Sequence, residues 1–121
     1  MDTRTKIVSC ADLRGLVFGE VALVTGYFDI LRASHIRALR EIRAGRLVAA
    51  VRPCAHSVLP LGARAELVAA LRMVDYVVIA DDRELDTLVS ELRPARIVHL
   101  EDADRERTRE LKRHVHERQS C

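Results

Sequence analysis

Short apolar runs alternate with amphipathic segments along this chain, and this alternation limits the possible folds more than any other feature. Four runs are predicted as strands: Glu20–Thr25, Arg46–Val51, Asp75–Ala80 and Arg96–Leu100. The first two are apolar at nearly every position, which is typical of strands buried on both faces of a parallel sheet. Strands that alternate with helices through short connections form right-handed βαβ units. The sequence therefore predicts an α/β fold with a parallel sheet.

Helical segments occupy the intervals between the predicted strands, and a short helix capped by Ser9 precedes the first strand. The longer helices are predicted at 33–44, at 63–73, and from Asp81 or Asp82 to the residue before Pro94. The last helix has the clearest pattern, because its apolar residues recur at positions i, i+3, i+4 and i+7. These residues are Leu85, Leu88, Val89 and Leu92. The pattern predicts a three-layer, Rossmann-like sheet with helices on both faces.

The chain has 121 residues, enough for one hydrophobic core and too few for two, so a single domain over 1–121 is predicted. Its core spans residues 6–100. The segment 101–119 is charged throughout, and Leu111 and Val115 are its only strongly apolar residues. It is predicted to be a charged C-terminal helix, either docked by a narrow apolar stripe or partly ordered as an arm.

Composition argues against two classes of partner. The 20 basic and 18 acidic residues give a net charge of +2, and aromatic residues make up only 3%. A nucleic-acid-binding surface usually segregates its basic residues and offers aromatic rings for stacking, so no nucleic-acid partner is expected. No apolar run approaches the ~20 residues of a membrane span. No signal peptide is predicted either, because no apolar stretch follows the N-terminal residues.

The cysteines predict a location. Cys10, Cys54 and Cys121 are odd in number, far apart, and form no C-x-x-C pair. A disulfide framework is therefore not expected, and a reducing, cytoplasmic location is predicted.

A candidate anion site lies where the first strand ends. The apolar run Val21–Val24 leads to a turn predicted at Thr25-Gly26, and a helix that carries Arg32 and His35 at its start follows. Free backbone N–H groups and the helix dipole both favour phosphate at a helix N-terminus. In parallel sheets, ligands bind outside the carboxyl ends of the strands, at a switch in strand order. The corner is therefore predicted to bind a phosphoryl ligand.

The same corner carries part of a known motif. Many nucleotidylyltransferases have the pattern G-x-F-D-x-x-H-x-G-H after their first strand. The matching positions here are Gly26, Phe28, Asp29 and His35. Arg32 stands where the first histidine belongs, and Ser34 where the glycine belongs. With further similar segments over residues 6–100, the chain resembles the cytidylyltransferase-like nucleotidylyltransferase superfamily, above all the adenylyltransferase domain of bifunctional heptose kinase/adenylyltransferases. Glycerol-3-phosphate cytidylyltransferase is a more distant resemblance.

The resemblance implies transfer of a nucleoside monophosphate from ATP or CTP to a sugar- or polyol-phosphate, with pyrophosphate release and usually with Mg²⁺. It implies catalytic roles for Arg32 and His35. No residue of the sequence is predicted to be a metal ligand. The residues implied in nucleotide binding are Thr25, Gly26, Tyr27, Phe28, Ser34, His35 and Arg64. The resemblance also implies a homodimer.

Several of the residues named above also have a structural interpretation. Arg32 can be an exposed arginine at the helix start, and His35 a first-turn histidine bonded to backbone. Ser34 can cap the helix, and Arg64 can pair with a nearby acid. Asp29 and Phe28 are predicted to be structural as well, as a turn-stabilising carboxylate and a core ring.

Two features of the family have no counterpart. After the second strand the family usually has an Asn-Ser-Asp-like turn and a loop with a Lys-Gly pair, whereas Arg52-Pro53 follow here. After the fourth strand it has a Lys-Gly-Gly-Asp-like turn and a segment that closes over the nucleotide, whereas the sequence here is His99-Leu-Glu-Asp102. Reduced or altered transferase activity is therefore predicted. The alternative is a non-catalytic, nucleotide- or phosphate-binding or dimeric interaction module.

Overall fold

A computed structural model of the chain describes residues 2–17, 19–29, 31, 33–42, 45–55 and 57–101. The strands are β1 (Val21–Gly26), β2 (Arg46–Val51), β3 (Tyr76–Ile79) and β4 (Arg96–His99). The helices are α1 (Cys10–Leu16), α2 (Ala33–Glu41), α3 (Leu61–Ala69) and α4 (Asp82–Leu92), and a 3₁₀ turn spans Thr3–Lys6. The predicted C-terminal helix lies, from residue 102 onward, outside the described residues, as do Arg32, His114 and His116.

The four strands form one parallel sheet in the order β3-β2-β1-β4. The chain moves outward from β1 to β2 and β3, and then crosses back to place β4 on the other side of β1. The strand order therefore switches between β1 and β4, which is where such sheets leave a crevice at the carboxyl ends of their strands.

Helices cover both faces of the sheet. On one face, Leu13 of α1 and Leu85 and Leu88 of α4 pack against residues of β1 and β2 such as Leu23 and Val48. On the other face, a second cluster joins α2 and α3 to the opposite side of the same strands. It includes Leu39, Ala65, Val68, Val24 and Ala49. The three-layer α/β fold predicted from the sequence is confirmed, and its core is almost entirely aliphatic.

The predicted caps are present at two helices. The Ser9 side chain accepts a hydrogen bond from the Asp12 amide at 3.1 Å, as expected for the N-cap of α1. Of the two aspartates considered for α4, Asp81 is the cap, and it forms a reciprocal capping box with Glu84. Arg93 ends the helix in the left-handed conformation, at φ 47°.

Helix α2 ends at Glu41 rather than at residue 44, and two further boundary differences concern β1 and α3. The turn predicted at Thr25-Gly26 is wrong, because both residues pair with β2 and the strand continues through Gly26. Helix α3 runs from Leu61 to Ala69 rather than over 63–73. It starts earlier because Pro60 fixes the extended backbone before it and Gly62 sits in its first turn. It ends earlier because residues 70–74 close by tighter turns.

No helix within the described ranges is both long and apolar enough to cross a membrane.

We expect the substitutions Gly45→Ala and Gly15→Ala to have opposite effects on stability. A Cβ at Gly45 would lie 2.9 Å from the Glu20 carbonyl oxygen. That oxygen is held by the Arg46 amide at 3.0 Å, so it cannot easily move away. A Cβ at Gly15, inside α1, would meet nothing within 4 Å.

The Gly45 variant should lose about 1–3 kcal/mol of unfolding free energy through steric overlap. The Gly15 variant should gain about 0.5–1 kcal/mol through helix propensity. Urea denaturation followed by far-ultraviolet circular dichroism measures both. Equal stability of the two variants would contradict the close approach of β1 and β2 at Gly45.

Candidate functional site

The backbone turns sharply just after β1, at Tyr27, Phe28 and Asp29. Phe28 adopts a left-handed conformation with φ 49°, which is uncommon for a residue with a large side chain. Its ring is completely buried in the core cluster that joins α2 and α3 to the sheet. Phe28 is therefore a core ring, as predicted. Packing of this ring offsets the unfavourable backbone conformation at the end of β1.

Asp29 fixes the next loop against this turn. Its two carboxylate oxygens accept hydrogen bonds from the backbone amides of Val58, at 2.7 Å, and Leu59, at 2.8 Å. The carboxylate itself is buried. The prediction of a turn-stabilising carboxylate is confirmed, and the loop before α3 is anchored at two adjacent residues.

The buried side chain of Arg64 connects three loops through hydrogen bonds. Its side chain is only 1% exposed, and Nη1 donates to the carbonyl oxygens of Tyr27, at 2.7 Å, and Arg52, at 3.0 Å. Nε donates to the Leu59 carbonyl at 3.2 Å. Its partners are thus backbone carbonyls rather than the acid considered from the sequence. A contact between Arg64 and a nucleotide stays a prediction.

The remaining predicted site residues lie on both sides of the turn. Thr25 and Gly26 are the last residues of β1, and Thr25 is fully buried. His35 is buried in the first turn of α2, and Ser34 precedes it as the second residue of that helix rather than its cap. Arg32 lies outside the described residues, so its convergence with His35 also stays a prediction.

An open cleft of about 610 Å³ lies beside this turn. Its walls come from the carboxyl ends of β1, β2 and β4 and from the first turns of α4. The lining residues are Tyr27, Arg52, Asp82, Leu85, Asp86, His99 and Glu101. The cleft therefore occupies the switch in strand order, which is the place where the sheet geometry predicts a ligand.

Arg52 is the centre of an ion-pair network across the cleft. Its guanidinium pairs with Asp82 at the start of α4 and, through Nη1 at 3.1 Å, with Oε1 of Glu101 beyond β4. The same guanidinium lies 5.8 Å from the centre of the Tyr27 ring. These contacts connect three separate elements at the carboxyl edge of the sheet.

His99 is fixed on the other side of Glu101. Its Nδ1 is 2.7 Å from Oγ1 of the buried Thr25 and 3.9 Å from Oε2 of Glu101. Sequence reasoning did not identify Arg52, His99, Glu101 or Asp86 as site residues. A usable signal existed for the first three: Arg52 and Glu101 directly follow predicted strands, and His99 lies near the end of one. All three positions are at the ligand-binding edge of the sheet.

The described part of the chain holds two free thiols and no metal cage. No group of three or more His, Cys, Asp or Glu residues there could hold a metal ion. Cys10 and Cys54 are free thiols. Burial, reinforced by the negative charge of Glu84, raises the pKa of the Cys10 thiol, so this group is a poor nucleophile near neutral pH.

Comparisons with known proteins find similarity to this chain in both sequence and fold. No protein-family model matches the chain. It is 35% identical over 97 residues to the bifunctional protein HldE of Rhodopseudomonas palustris (strain BisA53), a match that covers 71% of this chain and 20% of that protein. The chain thus spans about a fifth of the length of this relative.

A solved structure has the same fold. The lipopolysaccharide core biosynthesis protein from Thermoplasma volcanium GSS1 superposes with a TM-score of 0.59 and 25% sequence identity, over 64% of this chain and 71% of that one. Together with the identity to HldE, this match confirms the resemblance of the chain to the cytidylyltransferase-like nucleotidylyltransferase superfamily, and within it to the bifunctional heptose kinase/adenylyltransferases.

Proposed function

We propose that the protein is a nucleotidylyltransferase that transfers a nucleoside monophosphate from ATP or CTP to a sugar- or polyol-phosphate, with release of pyrophosphate and at a reduced or altered rate. The observation that carries the proposal is the placement of His35 in the first turn of α2, directly after the sharp turn that ends β1. Identity to part of HldE supports the same reaction class.

The reaction requires the protein mainly to position two phosphates and to neutralise growing charge on oxygen. In this proposal, His35 donates a hydrogen bond to the triphosphate at the N-terminus of α2, where the helix dipole also favours an anion. Arg32 supplies a permanent positive charge. An Mg²⁺ ion would be held mainly by the phosphates themselves, since no protein cage is found among the described residues.

A second candidate function is a non-catalytic module that binds a nucleotide or phosphate. One observation favours it: the two arginines that contact the turn within the described residues are already engaged by protein groups. Arg52 pairs with two carboxylates, and Arg64 donates to three backbone carbonyls. Neither is freely available to neutralise a transferring phosphoryl group. In this second proposal the module forms a dimer, and the sedimentation mass of the full chain tests this.

Calorimetric titration with ATP and with CTP, each with Mg²⁺, tests the proposal. We expect Arg32→Ala and His35→Gln to weaken binding of the preferred nucleotide by about ten-fold or more, since each removes a hydrogen bond to a charged ligand. Arg37→Ala, at an exposed position of the same helix, is the matched control and should bind as the unmodified protein does. Circular dichroism checks that each variant is folded.

The two candidate functions differ in turnover. Pyrophosphate release in the presence of a panel of sugar phosphates is expected from a transferase and not from a binding module. Absence of heat with both nucleotides would contradict the transferase and a nucleotide-binding module, and absence of heat with inorganic phosphate as well would contradict the second candidate entirely.

A further inference from the structure

The charges that line the cleft are unfavourable for a polyanion. Three carboxylates, Asp82, Asp86 and Glu101, face one guanidinium, that of Arg52. Even with a proton on both nitrogens of His99, negative charges would outnumber positive ones by three to two. The guanidinium is moreover paired with two of these carboxylates. A triphosphate or phosphate placed here would meet net repulsion, so the cleft is suited to the uncharged part of a ligand.

His99 offers a fixed polar contact to such a ligand. Its Nδ1 is held by Thr25, which is fully buried in β1, so the ring cannot turn without losing this hydrogen bond. Nε2 lies on the opposite side of the ring, and the side chain is 65% exposed while it lines the cleft. When the Thr25 hydroxyl donates to Nδ1, Nε2 carries the proton and is a donor toward the cleft.

Asp86 complements this donor with an acceptor. It lies four residues after Asp82, so both carboxylates are on the same side of α4 and line the same cleft. Asp82 is paired with Arg52, whereas Asp86 is an exposed carboxylate for which no such ion pair is seen in the described part of the chain. A donor and an acceptor that line the same open cleft suit hydroxyl groups, each of which can both donate and accept.

We propose that the cleft binds an uncharged, hydroxyl-bearing group of the substrate, with His99 and Asp86 as the contacting residues. The inference rests on the proposed function and assigns to this cleft the part of the ligand that carries no phosphate. Adjacent hydroxyls can come from the ribose of the nucleotide or from the sugar or polyol of the acceptor. The phosphates would lie at the N-terminus of α2, none of whose residues lines the cleft.

The test compares hydroxyl-bearing probes with inorganic phosphate. ATP, dideoxy-ATP without the ribose hydroxyls, mannose phosphate and inorganic phosphate are titrated into the full chain and into Asp86→Asn and His99→Ala. We expect each substitution to weaken binding of one hydroxyl-bearing probe by about five-fold, the effect of one lost hydrogen bond. Inorganic phosphate should bind these variants unchanged. Glu66→Gln, an exposed acid-to-amide change outside the cleft, is the matched control.

The probes separate the two sources of hydroxyls. If the ribose occupies the cleft, dideoxy-ATP should bind more weakly than ATP, and its affinity should not change in the two variants. If the acceptor sugar occupies the cleft instead, the two substitutions should weaken the binding of mannose phosphate and leave that of ATP unchanged. Unchanged affinity of both variants for ATP and for mannose phosphate would overturn the proposal. So would tighter binding of inorganic phosphate by Asp86→Asn, because it would identify the cleft as the anion site.

Nuclear magnetic resonance of the His99 ring tests the assignment of the cleft independently of the proposed transfer reaction. If ATP and CTP give no heat, the proposed transfer reaction fails. In that case, a shift of the His99 ring resonances with ribose or free mannose, and none with inorganic phosphate, still supports the assignment of the cleft. The absence of such a shift overturns it.

Discussion

Replacement of Arg64 by methionine is expected to lower the free energy of unfolding by about 3 kcal/mol. The guanidinium donates to the carbonyl oxygens of Tyr27, Arg52 and Leu59, and its surroundings are almost entirely shielded from water. Methionine fills a similar volume but donates nothing. The three carbonyls would then be left without these donors at the point where β1, β2 and the loop before α3 meet.

An opposing effect reduces this loss without cancelling it. Burying a guanidinium costs free energy, and an apolar replacement removes that cost. Such replacements are neutral only when both partners of an interaction are replaced, and here the backbone carbonyls cannot be. Lysine at this position keeps the charge but concentrates its donors on one nitrogen, so Arg64→Lys should be intermediate.

Urea denaturation followed by circular dichroism measures both variants, a suitable signal because the chain has no tryptophan. Arg37→Met, at an exposed position of α2, is the control and should change stability by no more than about 0.5 kcal/mol. A loss of similar size in Arg64→Met and in the control would show that the three hydrogen bonds give no net stabilisation.

The layers of the fold could be predicted because local pattern and tertiary burial agree. Strand β2 is buried at every position after Arg46, and the unbroken apolar run of its sequence reports this directly. In α4, Leu85 and Leu88 face the core as their spacing predicts. Caps such as Ser9 are encoded within three residues of the group they bind, so a sequence pattern is sufficient to find them.

The cleft could not be predicted in the same way, because its residues meet only through the topology. Arg52 and Glu101 are 49 residues apart, and they approach each other only because β4 crosses back to lie beside β1. Likewise, the role of Arg64 depends on carbonyls of three distant segments. No local pattern specifies a carbonyl as a partner, since every residue has one. The end of β1 was misplaced for a related reason: Gly26 suggested a turn, but pairing with Val51 extends the strand.

Asp29→Asn should destabilise the protein by about 2 kcal/mol, whereas the same change at Asp75 should cost less than about 1 kcal/mol. The Asp29 carboxylate accepts one amide hydrogen bond on each of its oxygens, from Val58 and Leu59. An asparagine has one acceptor oxygen, so it can keep only one of these bonds, and its NH₂ group then faces the second amide. Asp75 accepts a single amide hydrogen bond, from Leu47 at 2.8 Å, which an asparagine oxygen can preserve.

The pair Asp29→Asn and Asp75→Asn therefore tests the number of accepted hydrogen bonds, because each change removes one charge at equal volume. Asp75→Asn also removes an ion pair with Arg46, but its atoms are 3.7 Å apart and both side chains are partly exposed, so it contributes little. Urea denaturation gives the two losses of stability, and calorimetric titration with nucleotide gives a second readout. If the turn after β1 positions the triphosphate as proposed, release of the loop at Val58 should also weaken nucleotide binding in Asp29→Asn and leave Asp75→Asn unaffected. Equal losses of stability in the two variants would contradict the two-point anchor, and unchanged nucleotide affinity in Asp29→Asn would separate this anchor from the binding site.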